Sequence, residues 1–578
     1  MRKKTLKLAI EAHLNRDIEK ALILYKQAIE EGEDDPAAAA NLGIIYREKG
    51  NQEEALQMSL KALQVDPNNY MFLANIGGIY LDKKSYKIAL SYTDKSLSIH
   101  PNNPLALINK GEILRATGDF EKSLDSLQQA IKLDPSNPAC YLSLGALLKD
   151  SGRYQSSIKA IEQCLALDKN NITALLSLCS IYLCIGDYKK AEINLNKARA
   201  ARPARPEINY MMGKIKQSQG KLQEAKKFFT ASLHLNCDKA ASLYELSLDL
   251  KSTEEAEAIL RTAQSTDLDL LSPPELSCIN FSISNCHHKL RNFDKAMKFL
   301  KVANQEMRSH YPCDLKILEA DTNYFLNRSE ESSSSLKDSD GRKCIFIIGM
   351  PRCGSTLLEN VLSVNSNIKG LGEIHAMPNA LIKFDNLLEI KGEQPNLFNI
   401  YTEELGINIE ESACIIDKQL FNFRFTGVIS HHLPASKIIH CKRNPLDQIL
   451  SIFRANFAAG SSYTNSLEET VHALAMHESA MLTYKKRYPK NIYTFYYDDF
   501  VSEPQKTLAP LVAWLGLDWD NNYLNHQECN NIVLTSSVIQ VRNKINTKSL
   551  NSWKNYAPML DNVKQAISNS GLFDEYSL

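Results

Sequence analysis

The stretch Ile345-Phe-Ile-Ile-Gly-Met-Pro-Arg-Cys-Gly-Ser-Thr-Leu-Leu358 reads as three pieces in direct succession: an apolar strand, a turn bracketed by Gly349 and Gly354, and a helix opening at about Ser355. Backbone N–H groups of such a turn converge on an anion, and the helix N-terminus adds the positive end of its dipole. The stretch is therefore a phosphate cradle at the head of an α/β region. Arg352, Cys353, Gly354, Ser355 and Thr356 are its candidate ligand-binding residues.

The glycine spacing is that of a Walker A loop, Gly-x-x-x-x-Gly, but Ser355 stands where that loop carries lysine. Without the lysine that reaches β/γ-phosphates, and with Arg352 inside the turn, the loop suits a short 5′-phosphate donor better than a triphosphate, which disfavours a kinase. Downstream, β-branched runs at 413–416, 437–441 and 492–497 alternate with helical stretches. That alternation predicts a parallel sheet flanked by helices.

Three further clusters accompany the loop. Ile438-Ile-His-Cys-Lys-Arg-Asn-Pro-Leu-Asp-Gln-Ile-Leu-Ser451 is a second strand running into a helix, with Arg443 at the strand end and Ser451 two turns along. A charged fork and a hydroxyl suit a phosphate oxyanion. Tyr496-Tyr-Asp-Asp-Phe-Val-Ser-Glu-Pro504 and Leu534-Thr-Ser-Ser-Val-Ile-Gln-Val-Arg542, ending at Trp553, are the others. Together with Pro351-Arg-Cys-Gly-Ser-Thr-Leu357, they resemble the sulfotransferases that use 3′-phosphoadenosine-5′-phosphosulfate, and in particular their tyrosylprotein-sulfotransferase-related branch, from about Lys343 to Leu560.

That resemblance implies specific roles. The first loop would take the 5′-phosphosulfate, Arg443 and Ser451 the 3′-phosphate, Tyr497 would line the nucleotide site, and Ser537 would lie on the segment that closes over it. Glu373, in Gly370-Leu-Gly-Glu-Ile-His375, matches the general base, with His375 as rival, and Lys418 matches the lysine that stabilises the transition state. One position departs: Ser552 stands before Trp553 where the family places a basic residue, so Lys548, Lys554 or Arg542 must supply that charge if any residue does. No residue identified here chooses among protein tyrosine, carbohydrate, lipid or small-molecule hydroxyls as acceptor.

Toward the N-terminus the pattern changes. Gly43, Gly77, Gly111, Gly145 and Gly213 fall on a 34-residue lattice with Cys179 in the remaining place, and Ala55, Ala89, Ser123, Ser157, Ala191 and Ala225 follow the same period. Pro67, Pro101, Pro135 and Pro203 share it, while Ala9, Ala21 and Ala28 extend it backwards. Small residues let two helices approach closely and proline ends each pair, so every 34-mer is a helical hairpin. The pattern resembles the tetratricopeptide repeat, in register from about Thr5 to Ala240 and degenerate after, with Asp294-Lys-Ala296 and Ala303 recovering one more second helix. Such a solenoid offers a concave groove for an acceptor or a protein partner, or serves as a spacer or dimerisation arm.

The expected organisation is thus an α-solenoid over 1–327, a polar linker at 328–342 and a sulfotransferase domain of P-loop-like α/β class over 343–578, with separate cores. With 67 basic and 67 acidic side chains, net charge argues against a nucleic-acid coat. Neither an export signal nor a membrane span is legible, and the thirteen cysteines fall singly, which suggests reduced thiols in a soluble, cytoplasmic protein. His431-His432 and His287-His288 do not form a metal shell, so no metal requirement is expected.

Overall fold

A computed structural model of the chain describes residues 3–15, 17–31, 35–185, 187–202, 207–235, 238–268, 271–311, 313, 315–328, 344–391, 395–406, 414–457, 462–528 and 540–576. It packs as two compact units, Met1–Ile185 with Lys189–Pro203, and Gly186–Tyr188 with Ala204–Leu578.

The first unit consists of antiparallel helix pairs, from Lys3–Leu14 with Ile18–Glu30 to Ile172–Cys184 with Tyr188–Ala201. The lattice glycines are there for contact: a Cβ on Gly43 would sit 2.5 Å from Ser59 Oγ on the partner helix. The turn glycine Gly118 has φ +86°, a conformation that costs other residues energy. Helices Gln52–Val65, Tyr86–Ile99 and Phe120–Leu133 each end two residues before the lattice prolines Pro67, Pro101 and Pro135. Successive pairs are also tied by polar bonds, Asn109 Nδ2 donating to the Ala74 carbonyl at 2.8 Å.

The second unit opens with helices that continue the repeat pattern, Glu207–Ser218 with Leu222–His234, Lys239–Ser247 with Thr253–Gln264, and Pro273–Lys289 with Phe293–His310, then Leu315–Asn327. A five-stranded sheet follows: β1 (Cys344–Ile348), β2 (Ile368–Gly370), β3 (Cys414–Asp417), β4 (Lys437–Lys442) and β5 (Ile492–Tyr496), all parallel in the order β2-β3-β1-β4-β5. β1 is central and buried along its whole length, which explains its unbroken apolar run. β2 escapes sequence reading because it is a three-residue edge strand with one buried residue.

The compact units divide near residue 203. The helices of 204–327 have a cluster of their own around Phe229, Leu243 and Ile283, and their last pair also shares the core of the sheet. Phe281, Ala296, Leu300 and Ala303 are buried in the same cluster as Phe346, Ile348 and Ile438 of the sheet. Asn304 donates to the Phe453 carbonyl at 2.9 Å and Arg424 pairs with Asp321 at 2.7 Å. A parallel sheet needs helices on both faces, and these repeat helices cover one of them. Of the expected linker only Arg328 is described; its guanidinium grips Asp385 with two bonds of 2.9 and 3.1 Å.

Candidate active site

The chain runs from β1 out to β2 and back to β3 on one side, then crosses to β4 on the other, so the crevice at the C-terminal ends of β1 and β4 is the topological switch point where open α/β sheets bind ligands. The loop from Gly349 to Gly354 leaves β1 there. Arg352 has φ +66° and Gly354 φ +95°, and a Cβ on Gly354 would run into the Tyr497 ring, so glycine is required both by the backbone and by its neighbour. Gly354 also caps the helix Ser355–Leu362 without any side-chain cap, leaving its first N–H groups to the loop side.

Gln448, which sequence reading missed, fixes this loop. Its buried amide donates to the Met350 and Pro351 carbonyls at 3.1 and 3.0 Å. Arg443 adds a bond to the Arg352 carbonyl at 3.1 Å and one to the Ser549 carbonyl at 3.3 Å, and its guanidinium lies 4.8 Å over the Tyr497 ring. Tyr497 Oη in turn meets Ser549 Oγ at 3.0 Å. The Arg443 Nε is buried with no hydrogen-bond partner among the described residues. Arg352 Nε donates to Ser451 Oγ at 2.9 Å, joining the first loop to the second. Burial, and then the charge of Arg443, pull the Arg352 guanidinium down to about 10. Two crowded guanidiniums and an unsatisfied donor beside an uncapped helix fit an anionic ligand.

Within the loop, Cys353 is buried beside the Cys441 thiol; the bond between them draws Cys353 below the ordinary thiol range, while burial pushes Cys441 above it. Ser355 and Thr356 are buried at the start of the helix.

Along the same edge of the sheet, Lys418 follows β3 and is fully buried. Its Nζ lies 2.7 Å from Glu373 Oε1 and 3.9 Å from Glu359 Oε2. The turn that carries Glu373 is held by two backbone bonds, Lys418 N–H to the Gly372 carbonyl at 3.0 Å and Gly372 N–H to Glu359 Oε1 at 2.7 Å. Burial opposes a charge on Lys418, yet Glu373 and Glu359 carry its ammonium above the usual lysine range. The neighbouring Asp417 accepts from Tyr401 Oη at 3.1 Å instead, and burial pushes it up to about 7. Glu373, with its side chain 46 % exposed, thus presents a carboxylate to solvent against a buried ammonium. His375 is exposed on the same turn.

Ser537 lies outside the described residues. Further along, residues 551–553 are pinned by Asp447, buried and accepting from Asn551 N–H at 2.7 Å, Ser552 Oγ at 2.9 Å and Trp553 N–H at 2.9 Å. Ser552 therefore has a structural partner of its own. Of the three basic candidates, Arg542 is turned to the Ser218 carbonyl at 3.1 Å and Lys554 lies 5.9 Å over the Trp553 ring. Repeat helices also reach this crevice: Asn456 donates its N–H to Tyr244 Oη at 3.1 Å and its amide to Cys278 Sγ at 3.2 Å. Among the described residues one group of metal-type donors occurs, His440, His477 and Glu478; Lys442 Nζ holds Glu478 Oε2 at 2.9 Å, which makes it a buried charge network.

Residues 344–521 match the family model described as the sulfotransferase family. That stretch is a sulfotransferase-family domain. Residues 3–246 match the model of the cilia and flagella-associated protein 70 C-terminal domain, a repeat region of tetratricopeptide type. An uncharacterized protein of Aquifex aeolicus is 25% identical over 397 residues, 64% of this chain and 51% of that protein, so the chain spans about half the length of this relative. A putative protein-tyrosine sulfotransferase of Caenorhabditis briggsae is 23% identical over 37% of this chain and 82% of its own length, and the protein-tyrosine sulfotransferase of Drosophila melanogaster 23% over 37% and 47%. Solved structures similar to the chain include a tetratricopeptide repeat protein from Parabacteroides merdae, 19% identical over 43% of this chain and 98% of that one with a TM-score of 0.34. No helix among the described residues is long and apolar enough to cross a membrane.

Proposed function

We propose that the chain transfers a sulfuryl group from 3′-phosphoadenosine-5′-phosphosulfate to an acceptor hydroxyl, with the repeats recognising the acceptor or a partner protein. The observation that carries this reading is the Glu373–Lys418 pair, 2.7 Å apart at the sheet edge that also bears the anion loop. The donor supplies the sulfuryl group and departs as the 3′,5′-bisphosphate. The residues that would hold it are the loop Arg352 to Thr356 at the 5′ end and Arg443 with Ser451 at the 3′-phosphate; Tyr497 supports Arg443 from beneath. The unpartnered Arg443 Nε and the uncapped helix Ser355–Leu362 suit those two anionic groups.

Transfer of this kind needs a proton acceptor for the hydroxyl and cations for the developing charge. Glu373 is the acceptor and Lys418 the cation, with His375 as the rival base. Ser537 has its assignment from the family resemblance alone. No residue of the chain is given a metal to bind in this scheme. The names of the relatives make protein tyrosine one acceptor to test, alongside carbohydrate, lipid and small-molecule hydroxyls.

The test is transfer of labelled sulfuryl from the donor to a panel of such acceptors, with calorimetry of the 3′,5′-bisphosphate against AMP. Binding to the bisphosphate far tighter than to AMP, with transfer to at least one acceptor, is expected; equal affinity for both nucleotides overturns the reading. Ser552, engaged by Asp447 where the family places a basic residue, favours one alternative, a repeat scaffold that binds nucleotide without turnover. Tight bisphosphate binding with no transfer to any acceptor would select it.

A further inference from the structure

Glu359 lies in the helix that leaves the phosphate loop, only 8 % exposed, and belongs to no motif that the sequence singles out. Its two oxygens do different things. Oε1 accepts the N–H of Gly372, the residue just before Glu373, at 2.7 Å. Oε2 lies 3.9 Å from the Nζ of Lys418, whose nearer partner is Glu373 at 2.7 Å. A Cβ on Gly370 would come within 3.0 Å of Oε1, so the carboxyl is packed tightly beneath the turn 370–373. One fully buried ammonium thus stands between two carboxylates, Glu359 buried and Glu373 exposed.

During transfer the acceptor O–H bond breaks and its proton goes to Glu373, while the acceptor oxygen bonds to sulfur as the bond from sulfur to the 5′-phosphate oxygen breaks, the electron pair staying on that phosphate. Glu373 is then neutral, and Lys418 has lost its nearer counter-charge at the moment its position matters. A buried cation stripped of its partner is costly and shifts or deprotonates. We infer that Glu359 is a positioning residue that acts as the lasting counter-charge of Lys418 and as the strut of the turn carrying Glu373. The inference rests on the sulfuryl-transfer reading above. The charged groups facing Glu359 are Lys418 after β3, Glu373 on the turn after β2, and Asp417 at the end of β3. Burial pushes the Glu359 carboxyl up, and Lys418 followed by the Gly372 N–H pull it back.

The experiment compares full-length wild type with Glu359→Gln and Glu359→Asp in kcat, KM and affinity for the 3′,5′-bisphosphate across pH. Glutamine keeps an oxygen for the Gly372 N–H and removes the charge. The expected result is a kcat lowered about tenfold or more, within the ~10²-fold that a small misplacement of reacting groups costs, at bisphosphate affinity within a few-fold of wild type. Lys418 loses a carboxylate that holds its ammonium up, so the alkaline limb of the kcat profile moves to lower pH; Glu359→Asp returns that limb toward the wild-type position. A Glu359→Gln enzyme with wild-type kcat and an unmoved alkaline limb overturns the inference while leaving sulfuryl transfer intact. A variant that loses bisphosphate affinity together with kcat, with no rescue by aspartate, also overturns it in favour of a purely structural role. If wild type itself neither turns over nor prefers the bisphosphate, the functional reading falls and takes this inference with it.

Discussion

Gly354 meets two demands at once, a left-handed backbone at φ +95° and van der Waals room for Tyr497. Gly354→Ala should therefore abolish measurable bisphosphate binding, since an αL position costs ~1–3 kcal/mol for a residue with a Cβ and the tyrosine that supports Arg443 must also move; calorimetry on the folded variant checks it. Arg443→Ala removes the buried fork and should weaken the bisphosphate by about 1.5–3 kcal/mol while changing AMP binding little. At the reacting end, Glu373→Gln should lower turnover by about 10²–10⁴-fold, the usual worth of a positioned base, with bisphosphate affinity within a few-fold. His375→Ala tests the rival: if it, and not Glu373→Gln, loses activity, the base is His375. Gly354 and Arg443 were legible from the strand-to-helix turns that carry them, and Glu373 and His375 from the family resemblance. Gln448 and Glu359 were not. A glutamine and a glutamate inside ordinary helices look like solvated residues until the fold buries them.

At the scale of elements, the site is assembled by bonds between segments far apart in sequence. Asp447, in the helix after β4, accepts three donors from residues 551–553. Asp447→Asn keeps one oxygen and turns an NH2 toward a donor, so hydrogen exchange over 544–556 should rise and the KM for the donor should increase; unchanged exchange would show that the segment is held otherwise. A second joint links Pro273–Lys289 to the C-terminal segment through His288, whose Nδ1 meets Tyr556 Oη at 2.8 Å and whose Nε2 lies 3.4 Å from Arg454 Nη1. Burial, with Arg454 adding to it, holds this imidazole down to about 3 from an ordinary 6.5. Below pH ~6.5 the unfolded chain takes a proton that the folded chain refuses, so stability falls as pH drops from there toward 3. The melting temperature of the 204–578 fragment should fall more steeply between neutral and mildly acidic pH in wild type than in His288→Gln. Periodicity recovered the next helix, through Asp294-Lys-Ala296 and Ala303, but gave no sign of the partner of His288, which lies 268 residues along the chain.

For the whole molecule, the division near residue 203 decides where the chain can be cut. A fragment of 204–578 should express as a folded protein with one cooperative melt and bisphosphate affinity close to that of the full chain. A fragment of 343–578 loses Phe281, Ala296, Leu300 and Ala303 from the core it shares with β1 and β4; at ~1.5–3 kcal/mol for each large apolar side chain whose burial is lost, it should aggregate or melt far lower. Equal melts for the two fragments would restore the boundary at the polar stretch. Acceptor kinetics on 204–578 then ask whether the regular repeats select the acceptor: an unchanged KM would make them a spacer.

What the sequence determined by itself was local and periodic. A 34-residue lattice dictates helix pairs because small residues must recur wherever helices touch, and a glycine-bracketed turn between an apolar strand and a helix dictates an anion loop because few other chains can adopt it. Strand order, the pairing of Lys418 with Glu373 and Glu359, and the shared core of 204–327 with the sheet were decided only by the tertiary structure. Each depends on which buried surfaces meet, and the polar composition of 328–342 carries no information about the apolar face that the preceding helices present to the sheet.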